Sequence, residues 1–166
     1  PTITGSIGNI FTYKNFRLNV FVTYSGGNKV RLDPMFRSSY SDLDATPKDF
    51  KNRWVLPGDE KVTDIPVMAS SFERNQYAYN SYNYSTARIA SGAFVRLKEV
   101  SLSYDFPKEW LKSTPISSVG LKIQGTNLAL LYADSKLNGQ DPEFFRSGGV
   151  SAPVPKQFTL TLKVGF

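Results

Sequence analysis

The densest group of side chains that could bind a ligand is a run of tyrosines and asparagines between residues 75 and 84. Its members are Tyr77, Tyr79, Tyr82 and Tyr84, interleaved with Asn75, Asn80 and Asn83. Tyrosine rings offer flat faces to the C–H groups of sugars, and amides form hydrogen bonds with hydroxyls. The run therefore indicates either a glycan contact or a surface for a partner protein. The alternative, which we favour, is that these rings pack their own segment or form an aromatic belt.

A second group consists of carboxylates that could bind a metal ion or transfer protons. Asp141 and Glu143 flank Pro142, and with Asp134 they could form a calcium site or a pair of catalytic carboxylates. Calcium would need more oxygen ligands at regular spacing, and a catalytic pair would need a walled cleft. A turn with an acidic cap is the preferred interpretation.

A third candidate is Trp54, which follows Arg53 and precedes the turn residues Pro57, Gly58 and Asp59. Its indole ring could stack on a ligand. A tryptophan beside proline and glycine more commonly forms the small apolar cluster that keeps a long loop compact. We therefore expect a structural role for this motif.

Several kinds of chemistry are excluded by composition. The chain has no cysteine and no histidine, which excludes thiolate nucleophiles, Ser-His and Cys-His mechanisms and the usual zinc sites. No combination of acid, base and nucleophile emerges, so the sequence predicts neither an enzyme nor a metal or cofactor site. The formal net charge is +6, but lysines and arginines are scattered singly. Nucleic acid is not an expected partner, because a phosphate track needs a concentrated basic face.

The abundance of aromatic residues, with nine Tyr, twelve Phe and two Trp, is typical of β-structure. The longest apolar run, Leu128 to Ala133, is far shorter than the roughly 20 residues of a membrane-spanning helix. The sequence begins at Pro1 without a secretion signal, so we expect it to be a piece of a longer protein.

Five segments alternate apolar and polar residues as β-strands do. In the last of them, the apolar set is Phe158, Leu160, Leu162, Val164 and Phe166. The other four lie at about 7–13, 16–24, 94–106 and 119–132. The pattern changes phase within 94–106, which predicts a β-bulge near Lys98 and Glu99. Lys14 and Asn15 are expected to form a tight hairpin turn.

The connections between these strands alternate between short and long. Lys14–Asn15 and residues 107–117 are short, whereas residues 26–92 and 133–155 are long. Outer-membrane barrels join strands by short turns on the periplasmic side and long loops outside, and their tilted strands span about 9 to 11 residues. We therefore predict an all-β fold, in which residues 1–166 are part of a transmembrane antiparallel β-barrel with extracellular loops 26–92 and 133–155.

The faces of the strands should then separate lipid from water. Lys122, Gln124 and Thr126, like Thr159, Thr161 and Lys163, should face the barrel interior. A soluble antiparallel sandwich has the same alternation and is the main alternative. The terminal Phe166 on the apolar face favours the barrel, because the barrel-assembly machinery is understood to recognise such a strand. Five strands cannot close a barrel, and unpaired edges are costly in lipid, so further strands must complete it.

Several motifs, in their order and spacing, resemble the carboxyl-terminal segment of SusC/RagA-family transporters, which are TonB-dependent barrels of the Gram-negative outer membrane. The resemblance extends over nearly all of the chain. The motifs are Arg53-Trp54, Pro57-Gly58-Asp59, Pro66, residues 94–110 (FVRLKEVSLSYDFPKEW), residues 125–128 (GTNL), Asp141-Pro142-Glu143 and residues 158–166 (FTLTLKVGF).

The resemblance implies active import of oligosaccharides or peptides through a barrel of about 22 strands, filled by a plug domain that lies outside this chain. The implied partners are a SusD-like surface lipoprotein, the TonB complex acting through the plug, the barrel-assembly machinery and outer-membrane lipid. Trp54 and the four tyrosines are candidates for ligand or lid contact, and strand 158–166 is the candidate assembly signal. A passive porin or other outer-membrane barrel, and a soluble carbohydrate-binding β-sandwich, are the alternatives.

Overall fold

The largest element of the fold is a five-stranded antiparallel sheet. The computed structural model describes residues 1–37, 43–68, 76–146, 149–150 and 152–166. In spatial order the strands are β1 (Ile3–Tyr13), β2 (Phe16–Gly26), β5 (Phe94–Asp105), β6 (Ser118–Ala133) and β9 (Gln157–Gly165). These are the five segments that the alternation predicted. Within the described residues, strands β1 and β9 are paired on one side only, so the sheet is open at both edges.

The register brings the apolar residues of neighbouring strands onto one face. Ile7 pairs with Val22 and Phe11 with Leu18 across the first hairpin. The predicted tight turn at Lys14 and Asn15 is confirmed, and Lys14 adopts a φ of 51° there. Because side chains alternate between the two faces, one register setting assigns every residue of both strands to its face.

The predicted bulge in β5 is confirmed at Lys98. Phe21 of β2 pairs with Glu99 and the next residue, Val22, pairs with Leu97, which leaves Lys98 as the extra residue. The bulge returns the apolar residues of the second half of β5 to the face occupied by those of the first half. The amphipathic pattern is therefore continuous along the strand despite its change of phase.

A second irregularity lies in β6, at the GTNL segment. Asn127 adopts a φ of 53°, a left-handed conformation that asparagine tolerates better than most residues. At Gly125, a β-carbon would come within 2.7 Å of Leu128 Cδ2 and 3.3 Å of Phe158 Cε1. Glycine there allows the neighbouring side chains to lie close over the strand.

Both long connections leave from the same end of the sheet. Phe94 pairs with Ser25 on one side and Ala133 on the other, so β2, β5 and β6 meet there. The short turns lie at the opposite end, where Phe16 pairs with Tyr104. This placement agrees with the predicted alternation of short and long connections.

The long connections contain regular structure of their own. The first carries strand β3 (Lys29–Arg31), helix α1 (Gln76–Tyr84) and strand β4 (Ile89–Ser91), with β3 paired to β4. The second carries the small hairpin of β7 (Phe145–Arg146) and β8 (Gly149–Val150). Helix α1 was not expected from the sequence. No helix in the described ranges is both long and apolar enough to cross a membrane.

The buried core lies among the connections rather than on the sheet. Leu32, Ala90 and Leu137 are buried together, with Val30, Ala133 and Phe145 packed around them. Leu32 and Ala90 come from the first connection and Leu137 comes from the second. The two connections are therefore packed against each other as one layer above the strands.

Candidate functional site

One face of the sheet presents a continuous, uncovered apolar surface. On β9, Phe158, Leu160 and Leu162 are 75%, 69% and 64% exposed, and Phe166 is 89% exposed. Soluble monomers rarely leave so large an apolar patch in contact with water. No second layer of the described residues covers this face, contrary to what a soluble sandwich requires. The face suits a hydrocarbon environment, for which the alternation predicted it.

Aromatic rings mark both ends of this face. At the short-turn end, Phe16, Tyr104, Phe106 and Trp110 form a row with successive centroid separations of 4.5, 5.0 and 6.1 Å. At the other end of the strands, Tyr24 and Tyr132 are exposed. Amphipathic rings at the two edges of an apolar band are typical of transmembrane barrels. These positions were not singled out from the sequence, although their spacing from the strand ends would have identified them.

The opposite face of the sheet is polar. Lys122 pairs with Thr161 and Gln124 with Thr159, which puts these side chains across from one another on β6 and β9. On β2, the amide of Asn19 donates a hydrogen bond to Glu99 at 3.3 Å. The predicted division between an apolar and a polar face is confirmed by the register.

Helix α1 is fixed to the first connection by Asn83. Its side-chain oxygen accepts hydrogen bonds from the backbone N–H groups of Met35 and Phe36, at 2.9 and 3.1 Å. Its amide nitrogen donates to the carbonyl of Phe36 at 2.7 Å. Asn83 is only 4% exposed, so these bonds satisfy an amide that would otherwise be costly to bury.

The four tyrosines of the run lie on different sides of this helix. The rings of Tyr79 and Tyr82 pack on Phe36, stacked at 4.6 Å and edge-on at 5.7 Å, and the Tyr79 hydroxyl donates to the carbonyl of Val67. Tyr77 and Tyr84, in contrast, are 85% and 68% exposed. The structure therefore separates two packing rings from two surface rings. Asn75 lies outside the described residues.

The two surface rings are seven residues apart, which is about two helical turns or 10 Å. They share the solvent side of α1 with Ser81, and the guanidinium of Arg31 lies 5.7 Å from the centre of the Tyr84 ring. Two exposed rings at this separation provide an aromatic surface for a partner or an extended ligand.

The Arg53–Asp59 segment is a turn held by hydrogen bonds of its own and by one from the Trp54 N–H to the Ile65 carbonyl, at 2.9 Å. The Asp59 carboxylate accepts hydrogen bonds from the N–H groups of Val55 and Leu56 at 3.0 and 2.9 Å, which lowers the pKa of Asp59 below its usual value. The Trp54 indole donates to the carbonyl of Leu56. Gly58 has a φ of 109°, where a side chain would be strained. The structure thus places Trp54 within the turn, with its hydrogen-bonding group already used.

A cavity of about 580 Å³ lies between this turn, helix α1 and the residues that follow it. Its charged and aromatic lining consists of Asp49, Asp59, Asp64, Arg53, Arg88, Lys136 and Tyr82. Burial raises the pKa of the Tyr82 hydroxyl, which stays protonated as a hydrogen-bond donor. Acidic, basic and hydroxyl groups around one ring are suited to a polar ligand that both donates and accepts hydrogen bonds.

The DPE motif contacts the sheet through its two carboxylates. Asp141 forms a hydrogen-bonded ion pair with Arg96 of β5, and Glu143 lies 3.2 Å from the Arg96 Nε. Asp134 is bound elsewhere, since it accepts hydrogen bonds from the N–H groups of Ser91 and Lys136. No group of three or more potential metal-ligating side chains forms within the part of the chain that the structure describes. The sequence suggested an acidic turn but not its arginine partner.

Proteins of known class resemble this chain in sequence and in fold. The chain is 30% identical over 86% of its length to TonB-dependent receptor P3 of Formosa agariphila, and 24% identical over its full length to TonB-dependent receptor P26 of the same organism. Among solved structures, the RagAB peptide transporter matches 98% of the chain with a TM-score of 0.71 and 22% sequence identity. The RagAB peptide importer in its closed-closed state matches with a TM-score of 0.70. No protein-family model matches the chain.

This chain is similar in sequence to a segment of TonB-dependent receptors, and it has the fold of the corresponding barrel segment in RagAB. It spans 13% of the length of receptor P3 and 17% of that of receptor P26. In RagAB it likewise corresponds to 17% of the matched chain. Open edges at β1 and β9 are expected of such a segment, because each edge strand of a closed barrel pairs with a further strand.

Proposed function

We propose that the chain forms the carboxyl-terminal part of the barrel of a TonB-dependent importer in the outer membrane of a Gram-negative bacterium. The observation that carries the proposal is the uncovered apolar face of an open-edged sheet with aromatic rings at both ends. The receptors and transporters among its relatives support import rather than catalysis. The complete barrel would have about 22 strands around a plug domain that contacts the TonB complex.

The proposed cargo is an oligosaccharide or a peptide. Peptides are supported by the RagAB structures, which are those of a peptide transporter. Oligosaccharides are supported by the exposed rings of Tyr77 and Tyr84 and by the mixed polar lining of the 580 Å³ cavity. Both features lie in the long connections, which would be outside the cell in the proposed orientation of the barrel.

The proposed partner at this surface is a SusD-like lipoprotein, which would cover the outer mouth of the barrel. The packed layer formed by the two long connections supplies the surface that such a lid would meet. Assembly into the membrane is assigned to the barrel-assembly machinery, with strand β9 and Phe166 as its signal. These roles are consistent with the strong exposure of Phe166 at the end of the apolar face.

Energy-dependent uptake distinguishes the importer from a passive porin. Cells expressing the full-length protein would be given a panel of fluorescent oligosaccharides and peptides, with and without a protonophore that dissipates the inner-membrane gradient. An importer accumulates one class of cargo only in energised cells. Uptake that continues unchanged with the protonophore would identify a passive pore and overturn the proposal.

The proposed contacts of helix α1 are tested by substituting tyrosines on its exposed side and on its packed side. Tyr77→Ala and Tyr84→Ala should weaken binding of cargo or lipoprotein by about 1 kcal/mol or more each, as loss of a stacking ring does. Tyr79→Phe is the matched control, because it removes only a hydroxyl bonded to the Val67 carbonyl within the loop. Unchanged affinity in a Tyr77→Ala, Tyr84→Ala double variant would exclude this helix face as the contact.

A further inference from the structure

Arg96 is a buried cation on the polar side of the barrel wall. It pairs with Thr23 of β2, while its neighbours Val95 and Leu97 lie on the apolar side. Alternation therefore directs the Arg96 side chain to the polar side of the sheet. This side chain is only 6% exposed, although a wall facing a wide aqueous lumen would leave it hydrated. Another part of the chain must cover it.

The covering segment is the turn at Asp141–Glu143, in the second long connection. Asp141 forms a hydrogen-bonded ion pair with the terminal nitrogen of Arg96, and the Asp141 side chain is 9% exposed. Glu143 lies 3.2 Å from the Arg96 Nε, as an ion pair without hydrogen-bond geometry, and its side chain is 41% exposed.

The turn that carries these carboxylates is internally braced. Asp141 accepts hydrogen bonds from the N–H of Glu143 through its side chain, at 3.1 Å, and from the N–H of Phe144 through its carbonyl, at 3.0 Å. Pro142 between them is buried. Phe145, two residues after Glu143, packs against the buried cluster of Leu32, Ala90 and Leu137. The ion pair therefore fixes a rigid unit rather than one side chain.

We propose that Arg96 is a positioning residue that holds residues 134–146 against the inner side of the barrel wall and so sets the width of the passage near its outer end. The proposal rests on the function proposed above and adds a residue that determines how the cargo path is shaped. The length of cargo admitted would depend on this contact, because without it residues 134–146 could move away from the wall at the outer end of the barrel. A lysine could keep the charge but could not engage two carboxylates with a planar fork.

Hydrogen exchange on the purified full-length protein tests the proposal directly. Arg96→Met, Asp141→Asn and Arg96→Lys would be compared with the unaltered protein by mass spectrometry of peptides covering residues 137–146. Loss of the pairing should make this segment exchange at least about tenfold faster, with a smaller increase for Arg96→Lys. Lys122→Met is the matched control, because Lys122 is a cation on the same face with no ion pair among the described residues.

Two further variants distinguish a barrel that fails to assemble from a barrel in which only the turn has been released. If Arg96→Met does not give a heat-modifiable barrel, Asp141→Asn still removes the hydrogen-bonded ion pair from the loop side without altering the wall, and leaves only the Glu143 contact. The charge reversal Arg96→Asp with Asp141→Arg should restore slow exchange in part. Exchange of 137–146 that stays as slow in Asp141→Asn and Arg96→Lys as in the unaltered protein overturns the proposal.

Uptake measurements connect the contact to transport. With a series of cargo lengths, the variants should shift the apparent KM for the longer members by several-fold and leave assembly unchanged, whereas Lys122→Met should not. A length profile identical to that of the unaltered protein would show that the contact does not shape the passage. Hydrogen exchange is measured on purified protein and does not depend on import. It therefore tests the role of Arg96 separately from the proposed function.

Discussion

Asn83 and Phe36 are joined by a two-way hydrogen-bonded bridge. The Asn83 side-chain oxygen accepts from the N–H of Phe36 at 3.1 Å, and its amide nitrogen donates to the Phe36 carbonyl at 2.7 Å. Forty-seven residues separate the two in sequence. The buried Asn83 side chain thus satisfies backbone groups of Met35 and Phe36, which a neighbouring strand would satisfy in a sheet.

Asn83→Ala should loosen helix α1 from this segment. The change leaves two N–H groups and one carbonyl without their partner, at a cost of about 1 to 3 kcal/mol for a buried group. Limited proteolysis of the full-length protein should show faster cleavage within the first long connection. Asn80→Ala, an exposed position on the same helix, is the control and should leave the rate unchanged. Equal rates for both variants would contradict the role given to Asn83.

Leu160→Arg and Thr161→Arg should differ strongly in assembly. Leu160 lies on the exposed apolar face, opposite Ile123, whereas Thr161 lies on the polar face opposite Lys122. An arginine at the first position would enter lipid at about 2 to 4 kcal/mol, and at the second it would reach water. Heat-modifiability on gels should show a folded barrel for Thr161→Arg and little for Leu160→Arg. Equal folding of both would contradict the assignment of the two faces.

Gly58→Ala should destabilise the Arg53–Asp59 turn through backbone strain alone. Apart from Gly58 and its two chain neighbours, none of the described residues has an atom within 4 Å of the point that a β-carbon would occupy at Gly58, but its φ of 109° is unfavourable for any other residue. We expect a cost of about 1 to 3 kcal/mol in local stability, measured by hydrogen exchange of residues 54–65. Gly26→Ala is the matched control, because a β-carbon there makes an ordinary 3.9 Å contact with Ala93. A larger effect at Gly26 would contradict the conformational argument.

Lowering the pH should release the contact between the two long connections at Asp134. Hydrogen bonds from the N–H groups of Ser91 and Lys136 lower the pKa of Asp134 below 3.8. Its contribution to stability is therefore complete above that value and is lost as the pH falls through the depressed pKa of the folded state. Exchange around Ser91 should accelerate below about pH 3.8 after correction for the intrinsic rate. Asp134→Asn should remove this pH dependence, and its persistence in that variant would assign it to another group.

The strands and their faces follow from local sequence. Phe158, Leu160 and Leu162 alternate with polar residues, and a period of two has one structural solution, a strand with an apolar side. The bulge at Lys98 was also predictable, because the phase change within 94–106 can be reconciled with one apolar face only by an extra residue. Connection lengths then fixed which end of the sheet carries the loops.

The interior of the loops was not predictable in this way. Helix α1 has a sequence rich in Tyr and Asn, residues with no strong helix propensity, and it is fixed by Asn83 binding to residues nearly fifty positions away. The separation of surface Tyr77 from packed Tyr79 depends on that helix and was therefore beyond the sequence.

The sequence by itself determined the five strands, their apolar and polar faces and the long connections at one end, because alternation and spacing are properties of neighbouring residues. Only the tertiary structure decided what the polar motifs do. Arg96 and Asp141 are 45 residues apart and carry no local signal of their pairing. A buried charge requires a partner, but which carboxylate reaches it depends on how the connection folds back over the wall.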